Sequence, residues 1–341
     1  MDLQDFDFDL PPELIAKEPV EPRDQSRLLF ANRKTNSFRD LRFSDLPNLL
    51  KPGDCLVFNN TQVVPARLRG IPEGSEASVE ALLTRRTGPS TFTCMVRPGK
   101  RFQPGKKFHF SGSLRATVRE IHPDGTRSLD FNLCGDQLDA VLDACGEVPL
   151  PPYLRGSKAR PDQYQTVYAR HRGSCAAPTA GLHFTPELLS RLSSLGIHLA
   201  EVTLHVGPGT FQPVKVEDPR QHQMHAEPFS LDAASIERIQ NAKKNGGRVV
   251  AVGTTTVRVL ETCADPKGNL SPTSGETSIF IYPGYQWKIV DGLITNFHLP
   301  RSTLIMLVAS FAGLEFTQSL YRHAIHENYR FYSFGDASII L

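Results

Sequence analysis

The sequence lacks the motifs of several large enzyme classes. Its 341 residues contain no G-x-x-x-x-G-K-[ST], no G-x-G-x-x-G, no G-x-S-x-G and no H-E-x-x-H. These absences argue against a P-loop NTPase, a dinucleotide-dependent dehydrogenase, an α/β-hydrolase and a zinc protease. The function therefore has to be sought in other patterns.

Cysteine pairs, an export signal and a long apolar run are also missing. The six cysteines include no C-x-x-C pair, so we expect neither a zinc cluster nor a disulfide framework and treat them as core residues. The longest apolar run, 304–312, has about half of the ~20 residues needed to cross a bilayer and predicts a buried helix or strand. The acidic start MDLQDFDFDLPPEL lacks the basic and apolar regions of an export signal. We expect a cytoplasmic protein without a membrane partner.

The pattern of the chain changes twice along its length. With 40% hydrophobic and 22% charged residues it has the composition of a folded protein. Between 66 and 147, β-like runs such as TFTCMVRP alternate with Pro-Gly and Asp-Gly turns. After Pro149, apolar β-like runs alternate with stretches of helical period. We predict a discontinuous α/β domain (1–65 plus 148–341) with an inserted antiparallel β-barrel-like domain (66–147).

One stretch of the predicted β domain is strongly basic. The formal net charge of +2 is too small to indicate a nucleic-acid partner by itself, but residues 85–107 carry seven basic side chains and no acidic one. Such a run indicates either a solvated β face or a surface for phosphates.

Four polar turns in the α/β part follow apolar runs, where α/β folds bind ligands. They are TAGLHFT (179–185), LHVGPGTF (204–211), VGTTTVR (252–258) and ITNFHLPRST (294–303). Three of them contain a histidine: His183, His205 and His298. Each is either a structural histidine or a proton-transfer group, and three similar settings favour a shared pocket.

Local signals in these turns have two interpretations each. Gly207-Pro208-Gly209 indicates either close approach to a ligand or a β-bulge. RVVAVG predicts a buried strand that enters a helix at Gly253-Thr254-Thr255, which would bind an anion or only cap the helix. Thr185, followed by Pro186, predicts another helix start.

Ten segments together resemble one family, the S-adenosylmethionine:tRNA ribosyltransferase-isomerases that make epoxyqueuosine in bacterial tRNA. The similarity runs over nearly the whole chain. The segments are, in order, ELIAKEPVEPRDQSRLL, LVFNNTQVVPARL, GEVPLPPY, YQTVYA, AAPTAGLHFT, VTLHVGPGTFQPV, MHAE, RVVAVGTTTVRVLE, IFIYPGYQWKIVDGLITNFHLPRSTLIMLV and FGDASII. The chain departs from the family pattern at Gln62, Pro208, Thr256, Phe334 and Ser338, and no departure removes a histidine or a motif glycine.

The resemblance implies transfer of ribose, not methyl, from S-adenosylmethionine to 7-aminomethyl-7-deazaguanine at the tRNA wobble position, with release of adenine and methionine. S-adenosylmethionine is then a substrate, and no metal, redox cofactor or protein partner is expected. The implied proton-transfer residues are His183, His205 and His298, with their individual roles left open. The implied S-adenosylmethionine contacts are Thr179, Gly181, Gly207, Gly209, Thr210, Gly253, Thr254, Thr255 and Arg258.

The same resemblance gives the basic stretch a use in tRNA binding, through Arg97, Lys100 and Arg101. A base that leaves the anticodon stack favours an aromatic or arginine partner, for which Tyr153, Tyr164 and Tyr282 are candidates. Core packing is the other explanation of these three tyrosines. The alternative functions are another S-adenosylmethionine-dependent tRNA-modifying transferase, such as a methyltransferase, and a non-catalytic RNA-binding protein.

Overall fold

The computed structural model describes residues 1–154, 156–207, 216 and 218–341. The chain forms two compact units. The α/β unit consists of Met1–Gln62, Pro152–His171 and Ala177–Leu341, and the β unit consists of Val63–Pro151 and Arg172–Ala176. The limits expected from the sequence were 1–65 with 148–341, and 66–147.

Seventeen strands are found in the described part of the chain. They are β1 (Arg27–Asn32), β2 (Ser37–Arg42), β3 (Cys55–Asn59), β4 (Thr61–Val63), β5 (Arg67–Pro72), β6 (Val79–Arg86), β7 (Thr91–Arg97), β8 (Lys107–His109), β9 (Arg115–Ile121), β10 (Arg127–Phe131), β11 (His171–Ser174), β12 (His198–Leu204), β13 (Glu227–Leu231), β14 (Val249–Val252), β15 (Thr273–Thr277), β16 (Gly292–Asn296) and β17 (Ala337–Ile340).

The α/β unit is built on a nine-stranded mixed sheet of order β15-β13-β12-β3-β14-β16-β17-β1-β2. Its four central strands, β12, β3, β14 and β16, are parallel. Every residue of β3, β14 and β16 is buried, as expected of strands covered on both faces. The carboxyl ends of the four strands therefore meet at one edge of the sheet.

Six α-helices are found in the same described ranges. They are α1 (Gly135–Cys145), α2 (Pro186–Ser194), α3 (Ala233–Lys244), α4 (Thr254–Cys263), α5 (Thr303–Ala312) and α6 (Leu314–His326). The predicted helix start at Thr185 is confirmed, since its hydroxyl accepts a hydrogen bond from the Leu188 amide (3.1 Å). The predicted passage from RVVAVG into a helix is also confirmed, by β14 and α4.

Aromatic and aliphatic side chains from both ends of the chain fill the core of the α/β unit. Phe43, Leu56, Phe184, Val250 and Ile294 belong to one buried cluster. Phe184 meets the rings of Phe43 and Phe58 edge-on, with centroids 4.9 and 5.0 Å apart. This packing fixes the short segment that precedes α2 against the sheet.

The β unit contains a closed antiparallel barrel of order β10-β7-β6-β5-β8-β9. Phe102 and Phe108 stack in its core with ring centroids 4.1 Å apart, and both are fully buried. The predicted fold class, α/β with an inserted antiparallel β-barrel-like domain, is confirmed.

The segment Arg172–Ala176 was assigned to the α/β part from sequence but packs in the β unit. Cys175 belongs to the barrel core, and its Sγ donates to the Leu83 carbonyl oxygen (3.2 Å). Arg172 forms an ion pair with Asp143 of α1. Five residues are too few to show a hydrophobic period. The sequence therefore offered no signal that the chain re-enters the β unit here.

No single helix within the described ranges has the length and hydropathy of a membrane span. The consecutive helices α5 and α6 reach those values only together, and they are bent by 115° at their junction. In the same part of the chain no three His, Cys, Asp or Glu side chains are grouped as metal ligands would be.

Candidate active site

A cavity of about 350 Å³ lies at the carboxyl edge of the central parallel strands. Its wall includes Val206 after β12, Gly253 to Thr255 after β14, and Thr295 to Pro300 at the end of β16. Thr179 and Ala180, from a 3₁₀ helix at Thr179–His183, complete one side, and Tyr332 and Ser333 form another. The topology thus brings these five separate segments to one site.

The cavity wall carries no charged side chain among the residues that the structure describes there. Its polar groups are the side chains of Tyr153, Thr179, Thr254, Thr255, Thr295, Asn296, His298, Ser302, Tyr332 and Ser333. The remaining lining residues, such as Phe297 and Leu304, are apolar. A buried charge without a counter-charge is costly, so the wall suits neutral parts of a ligand that can bond to hydroxyl groups, except at the first turn of α4, where backbone amides favour an anion.

The first turn of α4 forms one end of the cavity. Gly253 has a φ of +88°, a left-handed conformation that glycine adopts without strain, and it turns the chain from β14 into the helix. The Gly253 amide donates to the Ile294 carbonyl oxygen (2.8 Å), which joins this turn to β16. Thr254 and Thr255 then face the cavity at the helix start.

Asn296, at the end of β16, connects three segments of the cavity wall. Its Oδ1 accepts a hydrogen bond from the Thr179 hydroxyl (2.9 Å). Its Nδ2 donates to the Tyr332 carbonyl oxygen (3.2 Å) and lies 3.3 Å from Nε2 of His183. Tyr332 has a φ of +71°, which is uncommon for a residue with a side chain. The amide of Asn296 therefore helps to hold a strained backbone at the cavity.

His298 is the one histidine among the described lining residues. Its Nε2 lies 2.7 Å from the Thr295 hydroxyl, and its backbone amide donates to the hydroxyl of Tyr321 (3.0 Å). No hydrogen-bond partner for Nδ1 is found within the described ranges. Burial lowers the pKa of His298 to about 3, so the ring is neutral near pH 7. The neutral ring can accept a proton at Nδ1, and the same burial that keeps it neutral also makes it a weaker base than a free imidazole.

Comparison with known proteins extends over the whole chain. The family model of the queuosine biosynthesis proteins matches residues 3–340. The chain belongs to this family. Two similar relatives are the proteins named S-adenosylmethionine:tRNA ribosyltransferase-isomerase from Moorella thermoacetica, 52% identical with full coverage of both chains, and from Methylobacterium sp. strain 4-46, 51% identical over 98% of this chain and 97% of the relative.

A solved structure is similar as well. The crystal structure described as S-adenosylmethionine tRNA ribosyltransferase from Thermotoga maritima is 39% identical and covers 99% of this chain and 100% of its own, with a TM-score of 0.57. The resemblance derived from the ten sequence segments is confirmed by these matches.

The predicted queuosine-family histidines are not brought together on the cavity wall. His183 is 4% exposed and lies behind Asn296. Its Nδ1 is 2.7 Å from the Ser26 hydroxyl, and its ring stacks on Phe43 with centroids 4.9 Å apart. Burial lowers the pKa of His183 to about 4. Both ring nitrogens thus have protein partners, and the side chain supports the wall instead of lining it.

His205 is also separate from the described cavity wall. Its Nδ1 lies 2.8 Å from the Thr61 hydroxyl, and its amide donates to the Pro228 carbonyl oxygen (2.9 Å). Burial, and secondarily the neighbouring His171, lower the pKa of His205. The adjacent Val206 does line the cavity, so His205 lies next to the site in sequence.

Three predicted S-adenosylmethionine contacts have protein partners instead of facing the described cavity. A Cβ at Gly181 would lie 1.9 Å from the Tyr168 hydroxyl oxygen, so this glycine permits close packing. The Gly207 amide donates to Oε1 of Glu227 (2.8 Å). Arg258 forms an ion pair with Glu227 and donates to the Thr277 carbonyl oxygen (3.1 Å).

The remaining predicted contacts divide into two groups. Thr179, Gly253, Thr254 and Thr255 line the cavity together with His298. Gly209 and Thr210 lie outside the described residues, as does Pro208. Half of the polar turn after β12 is therefore without a structural description.

The three predicted stacking tyrosines have different environments. Tyr153 lines the cavity, where its hydroxyl lies 2.5 Å from that of Ser333 and its ring 4.7 Å from that of Tyr332. Tyr164 is fully buried and packs edge-on against Phe334, so it presents no face to a base. Tyr282 is half-buried and contacts Phe280, away from the described cavity wall.

The three predicted tRNA-binding cations all lie at the surface of the β unit. Arg97 ends β7, and Lys100 and Arg101 belong to the short 3₁₀ helix Gly99–Arg101. All three side chains are exposed, and within the described ranges none of them forms an ion pair. They differ in this respect from Arg86 of the same basic stretch, which pairs with Asp139.

Sequence reasoning named the turn that contains Asn296 but gave that residue no role, and it missed Tyr332 and Ser333. An asparagine that directly follows a buried strand was the available signal for Asn296. Tyr332 gave none, because its left-handed backbone is held by contacts with distant segments.

Proposed function

We propose that this chain is an S-adenosylmethionine:tRNA ribosyltransferase-isomerase. It transfers and isomerises the ribosyl moiety of S-adenosylmethionine onto 7-aminomethyl-7-deazaguanine at the wobble position of tRNA. The products are epoxyqueuosine-tRNA, adenine and methionine. The observation that carries this proposal is the full-length similarity, at about half of all positions, to relatives that bear this name.

The chemistry starts at the carbon next to the sulfonium. The positive sulfur acidifies the 5′ proton, a general base removes it, and adenine leaves after taking up a proton. The aminomethyl nitrogen of the tRNA base then forms a bond to a carbon of the ribose-derived fragment and gives up a proton. As the epoxide closes, the bond between the 5′ carbon and sulfur breaks, and methionine leaves with that electron pair on its sulfur. No net oxidation or reduction occurs, so the proposal includes no redox cofactor and uses S-adenosylmethionine only as a substrate.

His298 is the residue that we propose as the general base. It lines the cavity, and Thr295 holds its Nε2. Because its pKa is lowered, nearly all of the protein carries the neutral ring at pH 7. The S-adenosylmethionine contacts that fit this site are Thr179, Gly253, Thr254 and Thr255, and Tyr153 is placed to stack on a base that enters the cavity.

The tRNA is held in this proposal by the exposed cations Arg97, Lys100 and Arg101. Phosphate contacts supply most of the affinity of tRNA-binding proteins, and unpaired surface cations form them with the smallest loss of existing interactions. Since its substrate is tRNA, we propose that the enzyme works in the cytoplasm.

Product analysis tests the function directly. Incubation with S-adenosylmethionine and tRNA carrying 7-aminomethyl-7-deazaguanine should release adenine and methionine in equal amounts. The control is the same tRNA without the modified base, which should release neither. Formation of S-adenosylhomocysteine would instead identify a methyltransferase and contradict the proposal.

A further inference from the structure

At the start of α4, the backbone amides of Thr254, Thr255 and Thr256 have no hydrogen-bond partner among the residues that the structure describes. In the described part of the chain, the first hydrogen bond of this helix runs from the Val257 amide to the Gly253 carbonyl oxygen. Gly253, the residue before the helix, has no side chain that could cap the amides of residues 254–256. Free amides and the helix dipole together give such an end a partial positive charge, roughly half an elementary charge.

A second, independent feature at this place is the hydroxyl of Thr254. Thr254 is 7% exposed and lines the cavity, yet no group within the described ranges hydrogen-bonds its hydroxyl. Its two neighbours differ, because the Thr255 hydroxyl accepts from Nδ2 of Asn59 (3.2 Å) and the Thr256 hydroxyl donates to the Val252 carbonyl oxygen (2.7 Å). The residue is buried, but its hydroxyl oxygen is not among the fully enclosed unpartnered atoms. The hydroxyl is therefore accessible from the cavity and available to a ligand atom.

The charges around this position select the kind of ligand atom. The described cavity wall has no charged side chain. Arg258, one turn further along α4, is neutralised by its buried ion pair with Glu227. The amides and the hydroxyl are then the groups that a charged ligand atom meets here, and amide hydrogens favour an anion.

We propose that the N-terminus of α4 and the Thr254 hydroxyl bind the carboxylate of the methionyl part of S-adenosylmethionine. The inference rests on the proposed function, because it takes S-adenosylmethionine as the ligand. Of the three charged groups of this substrate, the carboxylate is the only anion. This contact would orient the sulfonium and the adjacent 5′ carbon relative to the rest of the cavity, where His298 lies.

The test combines two ligands with three proteins in calorimetric binding measurements. The ligands are S-adenosylmethionine and its decarboxylated analogue, which keeps the sulfonium and the amine. The proteins are wild type, Thr254→Val, which removes the hydroxyl at nearly equal volume, and Thr254→Ser, which retains it. For S-adenosylmethionine we expect Thr254→Val to weaken binding by about 10-fold or more and Thr254→Ser by much less. The decarboxylated analogue should bind wild type and Thr254→Val about equally.

Three outcomes overturn this assignment. Equal weakening of both ligands by Thr254→Val, with an unchanged unfolding midpoint, would place the hydroxyl at another part of the substrate. Unchanged binding of both ligands would remove Thr254 from the site. Loss of tRNA affinity in Thr254→Val, measured without S-adenosylmethionine, would identify a tRNA phosphate as the anion. A wild-type protein that binds neither small ligand would contradict the proposed function itself, a result distinct from these three.

Discussion

At the residue scale, two histidines with similar sequence settings differ in what surrounds their rings. His183 has partners on both nitrogens, whereas His298 has one nitrogen free of protein partners within the described ranges. The partners of His183 include Ser26 and Phe43, which are more than a hundred residues away in sequence. A motif cannot show such contacts, so the choice among the predicted histidines had to come from the structure.

Replacing His298 by Ala is expected to lower kcat by roughly 100-fold or more, because general-base catalysis typically contributes that much. Burial lowers the pKa of His298 below its ordinary value, so the active neutral form persists as the pH falls to 5. Titration of His298 should therefore cause no loss of wild-type kcat/KM between pH 7 and 5. Any loss in this range should also be present in His298→Ala. Turnover measurements across this range check both statements.

The matched control is His198→Ala, which removes an exposed histidine at the opposite end of β12 from the cavity edge. It should leave turnover within about twofold of wild type, as surface substitutions generally have small effects. Near-normal turnover of His298→Ala would assign the proton transfer to another group.

At the element scale, a buried ion pair joins β13 to α4, the helix whose first turn lines the cavity. Glu227 begins β13 and Arg258 lies in α4, and their side chains are 6% and 5% exposed. Glu227 also accepts the amide hydrogen of Gly207, while Arg258 donates to the carbonyl oxygen of Thr277 at the end of β15. We interpret the pair as positioning residues for Gly207, and the ligand contact of Arg258 stays a prediction.

Breaking this pair should be strongly destabilising. Glu227→Gln leaves the buried Arg258 cation without a counter-charge, and Arg258→Met leaves the buried Glu227 carboxylate without one. The expected cost of either single change is about 3–5 kcal/mol of unfolding free energy. The double variant should lose less than the sum of the two single losses, because it leaves no lone charge. Urea unfolding measures all three values.

The control pair is Arg69 and Glu147 in the β unit, whose side chains are 58% and 49% exposed. Breaking an exposed pair should cost less than about 1 kcal/mol. Strictly additive losses in the Glu227 and Arg258 variants would show that the two side chains act independently.

Local signals predicted elements well where one residue type determines the geometry. Thr185 and the RVVAVG run are examples, since capping and burial depend on neighbours in the sequence. The segment TAGLHFT was interpreted as a polar turn after an apolar run, and in the structure it forms the 3₁₀ helix Thr179–His183, which is followed by the cap of α2. Packing of Gly181 against Tyr168, a tertiary contact, accounts for that glycine and was not readable from the pattern.

At the scale of the whole molecule, the two composition changes in the sequence correspond to two units with different contents. The α/β unit contains the uncharged cavity, and the β unit carries the exposed basic surface. The net charge of +2 concealed this difference, because it averages over the chain. The division predicts that the two substrates can be affected separately by substitution.

Changing Arg97, Lys100 and Arg101 together to Ala should weaken tRNA binding and flatten its dependence on salt by roughly one unit of log–log slope for each lost phosphate contact. Affinity for S-adenosylmethionine should stay the same, because its proposed site belongs to the α/β unit. The control removes the same charge from exposed lysines of that unit, in the variant Lys34, Lys51 and Lys244 to Ala. If both triple variants lose tRNA affinity equally, net charge alone explains the effect. If the Arg97, Lys100 and Arg101 variant is folded and its tRNA affinity depends on salt as in wild type, the tRNA site lies away from this surface.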